Sequence, residues 1–255
     1  MNEQAIASFR KKLESGAVFG PFMKTTDPAF VEAAGWAGCD FAILDMEHGP
    51  ISLQSMQNNI RAAQVSGLLP IVRVTTLSEE AISQALDIGA AGVQIPQITC
   101  AEQAMLAIKA AKYHPEGMRG VCRFVRAAHY SSLPRDEYFP AANKALVIVQ
   151  LEGRETIEHL DEILSVPGID IAFIGPYDLS QSLGVPGQTT HPTVIDAMKG
   201  IVAHAAAKGV VVGTFTDTKE TLGMWKKAGV QYLSYSTDVG VFTETVKALC
   251  TAFNH

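Results

Sequence analysis

Residues 40–50 read DFAILDMEHGP. After Asp40 come Phe41, Ala42, Ile43 and Leu44, an apolar run as long as a short buried strand. The chain then places Asp45, Glu47 and His48 close together and turns at Gly49-Pro50. A strand that is apolar along its length and titratable only at its end fits a parallel strand covered on both faces, with its carboxyl end opening into a site.

Similar runs recur on either side of this one: AVFGPFM (17–23), LPIVRVT (69–75), AGVQIPQ (91–97), ALVIVQLE (145–152), IDIAFIGP (169–176), GVVVGTF (209–215) and YLSYSTD (232–238). With FAILDME (41–47) they make eight, with helical patterns between them. Asp27-Pro28 opens FVEAAGWAG as a cap and first turn; Ser78 precedes two glutamates in a helix that stops at Gly89. TKETLGMWKKAG repeats the scheme. Eight such units predict one α/β domain over residues 1–255, a (β/α)8 TIM barrel. An open doubly wound sheet ranks lower, because no G-x-G-x-x-G follows the first strand. MNEQAIASFRKKLESG (1–16) predicts an N-terminal helix, and VGVFTETVKALCTAF a C-terminal one. Trp36 and Trp225 fall in helical patterns and are expected in the core. The segment 114–140, rich in arginine and aromatic residues, has poor periodicity and is expected to be an irregular functional or interfacial insert.

Composition narrows the function. Of 255 residues, 47% are hydrophobic and 18% charged, enough for a large core. The net charge of −6 gives no reason to expect nucleic acid or an anionic membrane as partner. No apolar run approaches the roughly 18–20 residues of a spanning helix. Cys39, Cys100, Cys122 and Cys250 show no paired spacing, so reduced thiols and a cytoplasmic location are expected.

The titratable residues of the strands gather at the carboxyl ends, where this barrel carries its chemistry. Glu152 and Asp178 come from consecutive strands and offer oxygen ligands to a hard divalent ion such as Mg²⁺ or Mn²⁺. Structural pairing with arginine is the competing reading for both. A 2-oxo acid would complete such a site as a bidentate ligand, and the metal would then act as a Lewis acid. Arg73 is a second positive charge for an enolate oxygen. His48 is the candidate base, with Asp45 expected to orient its ring. The strands contain no lysine, Lys24 and Lys144 only flanking them, which argues against a Schiff base.

The chain resembles the metal-dependent (class II) pyruvate aldolases of the 4-hydroxy-2-oxoheptanedioate and 2-dehydro-3-deoxyglucarate aldolase family. The resemblance runs essentially end to end. It is carried by LDMEHGP (44–50), IVRV (71–74), GAAGVQIPQI (89–98), PEGMRG (115–120), VQLEGRE (149–155) and FIGPYDLSQSLGVPGQ (173–188). It implies a (β/α)8 barrel whose last helix is exchanged between subunits of a homo-oligomer, a trimer or hexamer. It implies that Glu152 and Asp178 bind a divalent metal (Mg²⁺, Mn²⁺ or Co²⁺), that Arg73 contacts the enolate oxygen, and that His48, held by Asp45, handles protons. It places Gln150 beside substrate and metal, the backbone N–H groups around Tyr177 and Asp178 at the pyruvate carboxylate, and Phe22 and Phe215 near the pyruvate methyl. It assigns Asp87 to a neighbouring subunit's site. Tyr177, the Cys122-Arg123-Phe124 stretch, and Phe22 and Phe215, where other members have tryptophan and leucine, depart from the best-known members, and Arg123 is a candidate for attracting an acidic aldehyde. The activity implied is reversible cleavage of a 4-hydroxy-2-oxo acid to pyruvate and an aldehyde. The rivals are a citramalyl- or malyl-CoA-type lyase and a non-catalytic oxo-acid-binding barrel.

Overall fold

The computed structural model describes residues 3–254; Met1 and Asn2 of the expected first helix, and His255, lie outside the described residues. The strands are β1 (Val18–Met23), β2 (Phe41–Asp45), β3 (Leu69–Arg73) and β4 (Gly92–Ile95), then β5 (Leu146–Leu151), β6 (Ile171–Ile174), β7 (Val211–Thr216) and β8 (Tyr232–Thr237). Each pairs in parallel with the next, and β1 pairs with β8 to close the barrel. The helices of the first half are α1 (Glu3–Ser15), α2 (Pro28–Trp36), α3 (Leu53–Val65), α4 (Glu79–Asp87), α5 (Ala101–Ala111) and α6 (Arg135–Ala142). Those of the second half are α7 (Arg154–Glu158), α8 (Leu160–Leu164), α9 (Pro176–Ser182), α10 (Pro192–Ala207), α11 (Lys219–Lys227) and α12 (Asp238–Phe253).

The continuous apolar character of the strands follows from covering on both faces. Ile43, Ile71, Ile148 and Phe173 fill the barrel interior, while Leu44, Val72, Val149 and Ile174 pack against the helical layer. The caps form as their sequences specify: Asp27 accepts from the Ala29 N–H, Ser78 from that of Ala81, and Thr218 and Thr221 make a reciprocal capping box.

The amino-terminal mouth of the barrel is plugged. Ile6, Phe9 and Leu13 of α1 are buried with the interior cluster, and the Phe9 ring meets Phe41 and Tyr232 edge-on at 6.0 and 6.3 Å. Burying each of these side chains contributes about 1.5–3 kcal/mol. At the rim of the plug, Arg10 pairs with Asp170 and Lys12 with Asp40. The opposite mouth stays open.

Two expectations need correcting. Trp225 is buried, but Trp36, the last residue of α2, is 70% exposed. The segment 114–140 is not irregular to its end. After a kinked 3₁₀ turn at Arg126–Ser131, α6 begins at Arg135, with Pro134 at its cap and Asp136 and Glu137 in its first turn. Tyr138 anchors this helix, buried with Tyr113 in a satellite cluster that hydrophobic periodicity alone does not reveal.

The helix α12 lies against β1 and β8, yet Val239, Val241, Phe242, Val246, Leu249 and Phe253 are exposed. No helix among the described residues is long and apolar enough to cross a membrane.

Candidate functional site

A cavity of about 310 Å³ opens at the carboxyl ends of the strands. His48, Arg73, Gln150, Tyr177, Asp178 and Phe215 line it together with Phe22 and Lys24. A larger hollow of about 670 Å³ lies at the other mouth, beside α1 and the 126–131 turn; Glu3 is its only lining carboxyl, and it gathers no comparable chemistry.

Register builds the centre of the site. Asp45 and Arg73 end β2 and β3 as directly paired residues. The Arg73 guanidinium donates from Nε and Nη2 to the two carboxylate oxygens of Asp45 at 2.9 and 2.8 Å, and its Nη1 lies 2.9 Å from Glu47 Oε2. Its Cζ sits 4.8 Å from the centre of the Phe22 ring. Asp45, with no exposed surface, also accepts from Lys24 Nζ at 2.7 Å and from the backbone N–H groups of Glu47 and His48. Burial alone would raise the Asp45 carboxyl, but the hydrogen bonds and charges of Arg73 and Lys24 outweigh it and bring the pKa down to about 2.

This geometry corrects the role expected of Asp45. It shapes the turn that carries His48 by holding the backbone N–H, and it does not touch the imidazole. The ring is 60% exposed, with Nε2 3.9 Å from Glu47 Oε2.

On the facing side, Glu152 follows β5 and Asp178 lies in the first turn of α9. Glu152 is 5% exposed; its Oε1 accepts from the Gln97 N–H at 2.8 Å and its Oε2 from Gln150 Nε2 at 2.5 Å. Gln97 presents that N–H from a left-handed conformation, φ 56°, which costs a non-glycine residue energy and recurs at functional sites. Gly175 makes room for the carboxylate: a Cβ there would stand 2.4 Å from Glu152 Oε2. Burial pushes the Glu152 carboxyl up to about 7, the charges of Asp178 and Glu47 add to the rise, and the two hydrogen bonds only partly offset it. Burial likewise raises Glu47, and Asp178 and Asp45 push in the same direction. Around Arg73 and Glu152 the mouth therefore gathers four carboxyl groups (Asp45, Glu47, Glu152, Asp178) against two cations (Lys24, Arg73), while Asp217 and Asp238 at its edge accept from Tyr177 and from Lys24 and Thr25. A divalent cation fits this donor set, because it would supply the missing charge next to hard oxygen ligands.

The rest of the wall is aromatic. Phe22 meets Phe173 and Phe215 edge-on, and Phe215 meets Tyr177 at 5.9 Å. Tyr177 donates its hydroxyl to Asp217 at 2.6 Å, a bond that raises the phenol to about 12, ahead of burial.

Asp87, expected at a neighbouring subunit's site, and Arg123 do not line this cavity. Asp87 ends α4 on the way to the start of β4 and pairs with the buried Arg119, outside this cavity. Arg123 donates to the backbone carbonyls of Ser131 and Leu133 and does not line the cavity. Two site residues escaped the sequence reading. Lys24, which only flanks the first apolar run, reaches Asp45 because β1 and β2 are neighbours. Glu47 reads as company for His48, yet it shares Arg73 with Asp45.

Over residues 19–245 the chain matches the HpcH/HpaI aldolase/citrate lyase family, and it belongs to that family. It is 34% identical over 245 residues to the hydroxypyruvate/pyruvate aldolase of Roseobacter denitrificans, covering 95% of each chain. It is 32% identical over 237 residues to the 2-dehydro-3,6-dideoxy-6-sulfogluconate aldolase of Pseudomonas putida, covering 92% of each. Among solved structures, an HpcH/HpaI aldolase/citrate lyase family protein from Burkholderia cenocepacia superposes with a TM-score of 0.93 at 28% identity, covering 98% of this chain and 99% of that one. The protein is a carbon–carbon lyase of the aldolase type.

Proposed function

We propose that the protein reversibly cleaves a 4-hydroxy-2-oxo acid to pyruvate and an aldehyde, using a divalent metal (Mg²⁺, Mn²⁺ or Co²⁺) held by Glu152 and Asp178. The observation that carries this reading is the excess of carboxyl groups at the open mouth, with Glu152 buried among them and raised to about 7. The names of the Roseobacter and Pseudomonas relatives support the reaction class. Among the described residues no three His, Cys, Asp or Glu side chains converge into a metal cage, so a chelating substrate and water would complete the coordination.

When bound, the metal supplies positive charge that polarises the substrate ketone and stabilises the enolate. Arg73 adds a fixed positive charge, and its two carboxylate partners hold it ready without reorganisation. First-turn N–H groups of α9, at Tyr177 and Asp178, have no intrahelical acceptor and suit the substrate carboxylate. His48, exposed at the cavity edge, takes the proton of the C4 hydroxyl as the C3–C4 bond breaks. The bond pair passes into the enolate, and a proton delivered to C3 completes pyruvate. Phe22, Phe173 and Phe215 give the C3 side an apolar wall that limits access of water.

The proposal extends to a cytoplasmic homo-oligomer, trimer or hexamer, supported by the free state of all four cysteines and by the exposed apolar residues of α12. In such an assembly Asp87 would serve a neighbouring site.

The test is pyruvate release from a panel of 4-hydroxy-2-oxo acids and oxaloacetate, with EDTA and then with each metal restored. Turnover lost with chelator and regained with metal is expected, and Glu152→Gln should lower kcat/KM on the order of 10²–10³-fold. Turnover indifferent to chelator would sink the proposal.

A further inference from the structure

Gln94 lies on β4 with no exposed surface and does not line the cavity. Its Nε2 donates to Gln150 Oε1 at 2.6 Å, and Gln150 Nε2 donates in turn to Glu152 Oε2 at 2.5 Å. The two amides thus form a buried relay from β4 through β5 to the carboxylate.

The direction of the relay is fixed from its far end. In the ionised form that would hold a cation, Glu152 can only accept, so Gln150 must turn its NH₂ group toward it, as the geometry has it. That leaves the Gln150 oxygen facing Gln94, and Gln94 must in turn present its own NH₂ group. The Gln94 oxygen then points away, and it has no hydrogen-bond partner among the described residues although it is buried. A side chain that served only to fill the barrel would avoid this cost by being aliphatic, as Ile71 and Ile148 are in the same interior cluster. The amide at 94 is therefore explained by what it donates to.

We propose that Gln94 is a positioning residue. By holding the Gln150 oxygen it keeps the Gln150 NH₂ group on Glu152, and so fixes the carboxylate in the orientation that binds the divalent cation. Without a donor at 94, the Gln150 amide is free to turn its oxygen toward Glu152, which repels an ionised carboxylate. The inference rests on the reading of Glu152 as a metal ligand.

The test measures Mn²⁺ binding to the metal-stripped full-length protein at fixed pH, from the paramagnetic resonance signal of free Mn²⁺. Wild type is compared with Gln94→Met, Gln150→Met, the double variant and Glu152→Gln. Gln94→Met should weaken Mn²⁺ binding about tenfold, the lower end of what supporting hydrogen bonds contribute at metal sites. Gln150→Met should weaken it at least as much, and the double variant should bind no more weakly than Gln150→Met alone, because the relay is already cut. A purely structural role for Gln94 predicts instead that its loss multiplies on top of that of Gln150. Gln94→Leu repeats the measurement with a second aliphatic shape, should the Met variant fold poorly. The proposal is overturned if the aliphatic variants bind Mn²⁺ within twofold of wild type, or if their loss persists at full size when Gln150 is Met. Glu152→Gln separates the two readings. If it binds Mn²⁺ like wild type, the metal site itself is misplaced; if it loses Mn²⁺ while Gln94→Met keeps it, only the relay falls.

Discussion

The two mouths of the barrel handle charge in opposite ways. At the amino-terminal mouth, Arg10 meets Asp170 and Lys12 meets Asp40, one cation to each anion, on long side chains 40% and 62% exposed around the apolar plug of α1. At the carboxyl-terminal mouth, Asp45 has no exposed surface, Arg73 is almost fully covered, and Asp45 and Glu47 take both cations while Glu152 and Asp178 beside them pair with neither. The first arrangement settles its charges within the fold. The second leaves a negative excess in a place where desolvation makes charge expensive, and this suits it to a cation and an oxo-acid substrate.

The sharpest way to break the comparison is to remove one cation from each mouth. Arg73→Met would leave Asp45 with Lys24 alone and Glu47 with no cation in contact, and should cost about 3–5 kcal/mol in a denaturant titration. Arg10→Met should cost at most about 1 kcal/mol, as exposed pairs do. Equal losses would mean that the buried pair has no special weight.

Acid and base sharpen the contrast next. The folded pKa of Asp45 lies near 2, below its ordinary value of 3.8, so its contribution is present above pH 4 and is lost as pH falls from about 4 toward 2. Glu152 has the opposite sign. In the metal-free protein its pKa lies near 7, above the ordinary 4.5, so the folded state holds the proton more tightly than the unfolded chain does. That contribution is present below about pH 4.5 and is lost as pH rises toward 7. Melting curves in EDTA should show this decline, and the stabilisation by added Mg²⁺ should grow over the same interval as the cation displaces the proton. Magnesium stabilisation that does not change between pH 5 and 7 would count against Glu152 as a ligand.

The smallest effect expected is at Lys24. Lys24→Met removes one of five donors to Asp45 and leaves the Arg73 pair in place, so the loss should be about 1 kcal/mol. Metal-dependent turnover should survive in this variant, and borohydride with pyruvate should leave no adduct on the wild-type protein. An adduct at Lys24 would replace the metal route with a Schiff-base one.

Much of this was legible in the chain. Period and caps locate the strands and the capped helices, because those signals are local: a parallel strand must be apolar on both faces, and Asp27, Ser78 and Thr218 cap the helices that follow them. The gathering of Arg73, Gln150, Glu152 and Asp178 at one end followed from strand direction alone. The misreadings concern long-range partners. Helical spacing places Trp36 in the core, but spacing alone does not say which side chains of a helix the barrel covers. Nearness in sequence points Asp45 at the His48 ring, whereas register gives its oxygens to Arg73, and Lys24, just past the neighbouring strand, takes a further place. Sequence alone leaves Arg123 a candidate for attracting an acidic aldehyde; its guanidinium is held by carbonyls of its own loop.

The sequence by itself determined the barrel, its open end and the residue types available there, since each depends on patterns a few residues long. Only the tertiary structure decided who pairs with whom. It set Arg73 between Asp45 and Glu47, ran the amide relay from Gln94 to Glu152, and drew Glu152 into a desolvated pocket beside Asp178. Those outcomes depend on closure of the sheet, which brings residues tens of positions apart within hydrogen-bond distance and removes the water that would otherwise screen their charges.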